Sequence, residues 1–191
     1  MPVVSDIRAL LSDLLPGAYG LMSFRHGGVS GFVLPEPYAG PVAGLQTQAL
    51  GSGEGDVMNG TPRNDFINLL GGDDAVNGFA GDDVLDGGLG SNFLTGGTGT
   101  DVFFIDGRSG GTTWSTITDW EAGEQLSLWG WTPGTSTMSC TAMDAAPGWQ
   151  GATMRADLDA DGTADMIVTW TGRTQAELPV PHELPGLLWF V

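Results

Sequence analysis

Between residues 51 and 104 a large apolar residue returns at every ninth position: Met58, Ile67, Val76, Leu85, Leu94 and Phe103. Two positions before each stands an acid or an amide: Asp56, Asp65, Asp74, Asp83, Asn92 and Asp101. The block divides into the nonapeptides GSGEGDVMN, GTPRNDFIN, LLGGDDAVN, GFAGDDVLD, GGLGSNFLT and GGTGTDVFF. Self-similarity at a fixed period marks a stacked-repeat architecture. In each unit the last four residues make a minimal strand whose apolar member points inward. The glycines before it let the backbone take positive φ and turn sharply. Two units then make one turn of a flattened parallel helix with a strand on each side.

The flanks follow other patterns. In residues 1–50, taken as an N-terminal cap segment, Ser5 caps a short helix. Its apolar positions Ile7, Leu10, Leu11, Leu14 and Leu15 have helical spacing, and Pro16 and Gly17 stop it. Two strand-like pieces follow, YGLMSF and GVSGFVLP, then a Pro/Gly/Ala-rich connection near 35–44. Beyond 105, short alternating runs (TWSTIT, QLSLWGW, ATMRA, MIVTWT, LLWFV) lie between Gly, Pro and Asp clusters. Residues 105–191 therefore read as an all-β, β-sandwich-like C-terminal unit holding all seven Trp. Buried Trp is the plain expectation there, and a glycan-stacking surface the alternative.

Charge narrows the chemistry. The chain carries 23 acids against six bases, all Arg, for a net charge of -17. Nucleic acid and anionic membrane surfaces are poor partners for it, and no apolar run is long enough for a membrane helix. The repeats concentrate aspartates among glycines, so the stretch either stays disordered or is held together by a cation, and the spacing decides between the two. Calcium takes six to eight oxygens at about 2.3–2.6 Å and accepts carbonyls mixed with carboxylates. Each repeat approximates G-G-x-G-x-D-x-U-x, where U is apolar, a pattern that binds calcium in parallel β-helices. The ligand set is Asp56, Asp65, Asp74, Asp83, Asn92 and Asp101, with backbone from Gly72, Gly81, Gly90 and Gly99.

One edge of the roll carries Asp56, Asp74 and Asn92; the other carries Asp65, Asp83 and Asp101. Ions between successive loops give four sites: 56/74, 74/92, 65/83 and 83/101. Pro62 and Arg63 replace turn glycines in the second repeat, and Asn92 offers only a neutral amide oxygen. The 83/101 site ranks first, 74/92 next, and those using the first two repeats last.

The run GFAGDDVLDGGLGSNFLTGGTGTDVFF resembles the repeats-in-toxin (RTX), or hemolysin-type, calcium-binding β-roll. Downstream, STITDWEAGEQLSL and MRADLDADGTADMIVTWTG resemble the C-terminal module that follows such repeats in serralysin-type secreted proteases. The resemblance implies a protein folded by several calcium ions, located outside the cell or on its surface. It also implies export by a type I secretion apparatus that reads an uncleaved C-terminal signal. The N-terminus indeed lacks the features of a cleaved signal peptide. The chain ends PGLLWFV, with the apolar tail of such signals but with the nearest acid, Glu183, not adjacent. Cys140 is the only cysteine, so metal rather than an intrachain disulfide would staple the fold.

A second acidic constellation, DLDADGTAD, places Asp157, Asp159, Asp161 and Asp165 at positions 1, 3, 5 and 9 of an EF-hand-like loop. Position 12 is Val168 and the flanks read as strands, so it is not an EF-hand. A calcium-holding hairpin loop and a plain Asp/Gly turn both fit. No catalytic constellation emerges. His26 and His182 stand in unrelated contexts, no HExxH motif exists, and the Gly-rich repeats lack the Lys of a phosphate loop. The expectation is a non-catalytic calcium-binding protein. A surface or matrix adhesion module holding a glycan or a surface protein is the alternative.

Overall fold

The computed structural model describes residues 22–26, 29–33, 47–107, 111–144 and 147–191. They fall in two compact units, 1–44 and 45–191. In the first, β1 (Met22–His26) and β2 (Val29–Val33) form an antiparallel hairpin, where the two strand-like pieces were expected. The expected helix over 5–15 lies outside the described residues.

Among its described residues the second unit is all-β apart from one 3-10 turn, Gln175–Glu177. Its strands in chain order are β3 (Thr47–Leu50), β4 (Val57–Asn59), β5 (Asp65–Asn68), β6 (Ala75–Asn77), β7 (Val84–Asp86), β8 (Ser91–Thr95) and β9 (Val102–Asp106). They continue with β10 (Thr113–Ile117), β11 (Gln125–Trp131), β12 (Thr137–Asp144), β13 (Gly151–Asp157), β14 (Met166–Thr171), β15 (Pro181–Leu184) and β16 (Gly186–Phe190). Within the repeats, alternate strands enter alternate sheets, as two nonapeptides per turn require. One seven-stranded sheet runs β12-β13-β14-β10-β8-β6-β4 and the other β15-β16-β11-β9-β7-β5-β3. Within the repeats every pairing is parallel and offset by 18 residues: Val57 beside Ala75, Phe66 beside Val84, Val84 beside Val102.

The parallel stack extends past the repeat block at both ends. Thr47–Leu50 pairs with β5 although it lies before the first nonapeptide. β10 and β11 stack on β8 and β9, so both sheets run unbroken across residues 104 and 105. A strand ladder needs only backbone amides and carbonyls, which no repeat motif has to supply. The sheets turn antiparallel only from the β13–β14 and β11–β16 pairs outward.

The core lies between the sheets. Ile67, Val76, Leu85, Leu94 and Phe103 are buried in one cluster, with Met58 packed partly against it. Beyond the repeats the same layer is filled by Ile117, Leu126, Leu128, Met154, Val168 and aromatic rings. Trp120 lies 6.0 Å from Phe103 and 6.2 Å from Trp170, which in turn lies 5.8 Å from Phe190. Trp120, Trp129, Trp131 and Trp170 are core residues, and Trp149 is exposed. No helix among the described residues is long and apolar enough to cross a membrane.

Candidate metal centre

Each acid of a repeat stands immediately before, or at the start of, its strand, so the parallel stacking brings the acids into two columns. On one edge the backbone N–H of Asp56 donates to Asp74 Oδ1 at 2.7 Å, and that of Asp74 to Asn92 Oδ1 at 3.0 Å. On the other edge, Asp65 N–H donates to Asp83 Oδ1 and Asp83 N–H to Asp101 Oδ1, both at 2.8 Å. One oxygen of each receiving side chain is thus fixed by the neighbouring turn. The columns are the two edges expected from the sequence.

The second oxygens differ, and the difference follows the second position of the repeat. Ser52 donates through its amide (2.6 Å) and hydroxyl (2.9 Å) to Asp56 Oδ2. Thr61 does the same for Asp65 Oδ2, its hydroxyl lying at 2.9 Å. In the third to sixth repeats that position is Leu70, Phe79, Gly88 or Gly97, all at positive φ and without a side-chain donor. Accordingly Asp74 Oδ2, Asp83 Oδ2 and Asp101 Oδ2 are buried with no hydrogen-bond partner. Asn92 takes a third course: its Nδ2 donates to the carbonyls of Gly87 and Leu89, where a cation would otherwise be drawn.

Gly72, Gly81, Gly90 and Gly99 stack along the same edges, all at positive φ. A Cβ on Gly99 would collide with the Gly81 carbonyl oxygen, and one on Gly90 with that of Gly72. Only glycine allows successive loops to approach this closely, so backbone oxygens gather beside the carboxylates. The sole basic residue of the repeats, Arg63, is exposed.

Burial without a counter-charge shows in the acid–base behaviour. The Asp83 carboxyl is pushed up to about 7, first by desolvation and then by the neighbouring charges of Asp101, Asp65 and Asp82. Desolvation, with Asp119 and Asp82 nearby, pushes Asp101 up to about 6. These are hard anionic oxygens, excluded from water and lacking donors, beside backbone carbonyls; the donor set suits calcium.

The nonapeptide pattern does not point to one further acid of this region. Glu124 precedes β11 as Asp101 precedes β9, and Gln125 pairs with Val102, so Glu124 continues the column of Asp65, Asp83 and Asp101. It is buried, its Oε2 accepts from Glu121 N–H at 2.7 Å, and its Oε1 has no partner. Desolvation, then the charges of Asp101, Asp119 and Glu121, push it up to about 8. Its step from Asp101 is 23 residues rather than 18, which breaks the nonapeptide period and hides it. An acid just before a strand, recurring once more, was the available signal.

The family model described as the RTX calcium-binding nonapeptide repeat, in four copies, matches residues 50–78 and 77–110. The chain carries RTX repeats. They form a calcium-binding β-roll, with the register of the two acid columns set out above. No curated protein matches the chain. Among solved structures, a subunit of the Azotobacter vinelandii mannuronan C5-epimerase, determined in solution, is 29% identical, with a TM-score of 0.49. The match covers 64% of this chain and 73% of that one.

Outside the RTX repeats, the β13–β14 turn brings carboxylate oxygens of Asp157, Asp159 and Asp165 within 4.8 Å of one another. Asp161 is not in that group; its Oδ1 accepts from Thr163 N–H. Both Asp157 oxygens accept backbone amides, from Ala160 and Gly162, and Asp165 Oδ2 accepts from Leu158. The turn thus has partners of its own for these acids, unlike the Oδ2 atoms of Asp74, Asp83 and Asp101 in the roll.

Proposed function

We propose that this is a secreted, non-catalytic RTX protein whose roll closes on extracellular calcium. The observation that carries the reading is the set of buried, partnerless carboxylate oxygens on Asp74, Asp83 and Asp101. Without a cation they oppose folding; with one they become its strongest support. The Asp83/Asp101 pair is the principal site, since both residues keep an open oxygen and neither is neutralised by a hydroxyl or an amide. Ser52, Thr61 and Asn92 weaken the remaining sites. Extracellular modules bind calcium at about 10⁻⁴–10⁻³ M, and tenfold excess adds about 1.4 kcal/mol per ion. A few ions therefore match a large part of a typical domain's stability of about 5–15 kcal/mol. In calcium-poor cytosol the repeats stay open for a type I exporter. The serralysin-like resemblance of the C-terminal strands supports that route.

Calcium titration of the chelator-stripped protein, followed by far-UV circular dichroism and Trp fluorescence, tests the coupling. The expected result is a cooperative transition near millimolar calcium with little response to magnesium. A spectrum already folded and indifferent to calcium rejects it.

A second reading, adhesion to a glycan or surface protein, draws on a groove of about 370 Å³ along β4, β6 and β8. Trp149, 41% exposed, borders it with its ring 5.1 Å from Phe93, and Asn59, Asn77 and Thr95 line it. Screening the calcium-loaded protein against glycans by Trp emission tests this reading, and no shift counts against it.

A further inference from the structure

The outer face of the roll carries a second periodic pattern, in which the acids play no part. In β4, β6 and β8 the inward Met58, Val76 and Leu94 are flanked by residues that face outward. Parallel pairing stacks these neighbours into two straight rows. Val57, Ala75 and Phe93 make an apolar row, and Asn59, Asn77 and Thr95 a polar one. Thr118 adds a fourth rung to the polar row, its hydroxyl 2.6 Å from that of Thr95. Neighbouring rungs lie about 4.8 Å apart, so four of them span about 14 Å along the roll. The rows form the floor of the groove of about 370 Å³, and none of its described lining residues is charged. The strip is open, with Val57 82% exposed. At its β8 end the exposed Trp149 ring leans on Phe93, with an interplanar angle of 59°. Gly172 N–H donates to the carbonyl of the next residue, Gln150, at 2.9 Å, which anchors the loop that presents the ring. Asn77 Oδ1 accepts from Phe79 N–H at 3.0 Å, which fixes that amide and leaves its Nδ2 as a donor.

We propose that this strip binds an uncharged polysaccharide, one extended chain of hexopyranose units running along the roll and across its strands. The inference rests on the adhesion reading above and names its ligand class. A pyranose ring has an apolar C–H face and a rim of hydroxyls. The first suits Trp149 and the apolar row; the second suits the amides and hydroxyls of the polar row. One sugar unit is close in length to one strand spacing, so rungs and sugars stay in step over about four units. Charge selects the class. A uronate or sulfated chain would approach a protein of net charge -17 with no base in the strip to receive it. An extended peptide fits less well, because it gains affinity by pairing with a strand edge. The strip is a sheet face, and the backbone groups of its inner strands are already spent on the ladder.

Isothermal titration of the full chain in saturating calcium tests the class and the place together. The probes are neutral gluco- and manno-oligosaccharides of two to six units, with oligouronates of the same lengths. The variants are Trp149→Ala, Trp149→Phe, Asn77→Asp and the exposed control Glu183→Gln, each checked for folding by circular dichroism. Asn77→Asp keeps the acceptor for Phe79 N–H but replaces the Nδ2 donor with a negative charge. The expected result is binding of neutral chains that strengthens with length up to about four units, and no binding of uronates. Trp149→Ala should weaken it about tenfold or more, Trp149→Phe less, and Asn77→Asp severalfold, with Glu183→Gln unchanged. Uronates bound as tightly as neutral chains overturn the assigned class. Neutral chains bound equally by wild type, Trp149→Ala and Asn77→Asp overturn the assigned strip and leave adhesion to a glycan standing. A wild type that binds no oligosaccharide defeats the inference and the glycan reading together. Should Trp149→Ala not fold, Asn77→Asp decides alone: undiminished binding overturns the strip.

Discussion

Asp83 and Asp101 are joined by one hydrogen bond, from the Asp83 N–H to Asp101 Oδ1 at 2.8 Å, and each keeps its Oδ2 buried and unpartnered. The bond fixes the spacing of the two loops, and the open oxygens leave a place for a charge that the polypeptide does not supply. Asp56 and Asp65 sit in the same columns but turn their second oxygens to Ser52 and Thr61. Position within the repeat alone does not make these acids equivalent.

Replacement of Asp83 is therefore expected to cost far more than replacement of Asp56. Asp83→Ala removes a carboxylate placed between two candidate ions and should raise the calcium midpoint for folding by about tenfold or more, about 1.4 kcal/mol per ion lost at such excess. Asp56→Ala should shift it by less than about threefold, because its Oδ2 already has two donors in Ser52. Calcium titrations monitored by circular dichroism compare them; equal shifts would contradict the assigned columns.

The metal-free protein should gain stability on acidification. Asp83, Asp101 and Glu124 are raised from 3.8, 3.8 and 4.5 to about 7, 6 and 8. Between those values the folded state binds more protons than the unfolded state, so stability falls as pH rises. Their support is fully present below about pH 4 and lost progressively by about pH 8. Denaturant melts with chelator at about pH 5.5 and about pH 8 should show the more stable form at the lower pH. Calcium should shrink or reverse that difference, because it competes with protons for the same oxygens.

Thr61 tests the internal substitute for an ion. Thr61→Val removes a hydroxyl that Asp65 Oδ2 accepts at 2.9 Å in a part-buried turn. The loss should destabilise the protein by about 1–3 kcal/mol in chelator. The deficit should narrow in saturating calcium, as Asp65 becomes free to serve an ion in the 65/83 site. Paired urea melts with and without calcium measure it; an equal deficit in both conditions would limit Thr61 to a structural bond.

Glycine at the fourth position should be irreplaceable where loops stack. Gly99 has φ +143°, and a Cβ there meets the Gly81 carbonyl. Gly53, at the third position of the first repeat, has open space around it. Gly99→Ala should lower the melting temperature of the calcium-loaded protein by several degrees, a cost of about 1–3 kcal/mol, and Gly53→Ala should leave it nearly unchanged. Scanning calorimetry compares them.

Core truncation gives a calcium-independent reference. Leu85 is fully buried between the sheets. Leu85→Ala should cost about 2–5 kcal/mol at any calcium concentration that folds the protein. A loss confined to low calcium would place Leu85 in the metal sites' support rather than in the general core.

The period of nine was enough to determine the inward column from Met58 to Phe103, the two edges, and which acids share each edge. Those properties depend only on counting: a regular repeat stacks in one register, and its side chains alternate by backbone geometry. The downstream runs QLSLWGW and MIVTWT were also legible, because they coincide with β11 and β14. Thr137–Asp144 was not read as a strand, although Met138, Cys140 and Ala142 alternate with polar residues there; its pairing with β13 establishes it. Tertiary structure alone decided that β10 and β11 continue the same two sheets, that Ser52, Thr61 and Asn92 satisfy neighbouring groups, and that Glu124 falls in line with Asp101. Such outcomes turn on which atoms meet across an irregular step of the roll or around a turn. Periodicity encodes neighbours that recur, whereas contacts made once are known only when the chain has closed on itself.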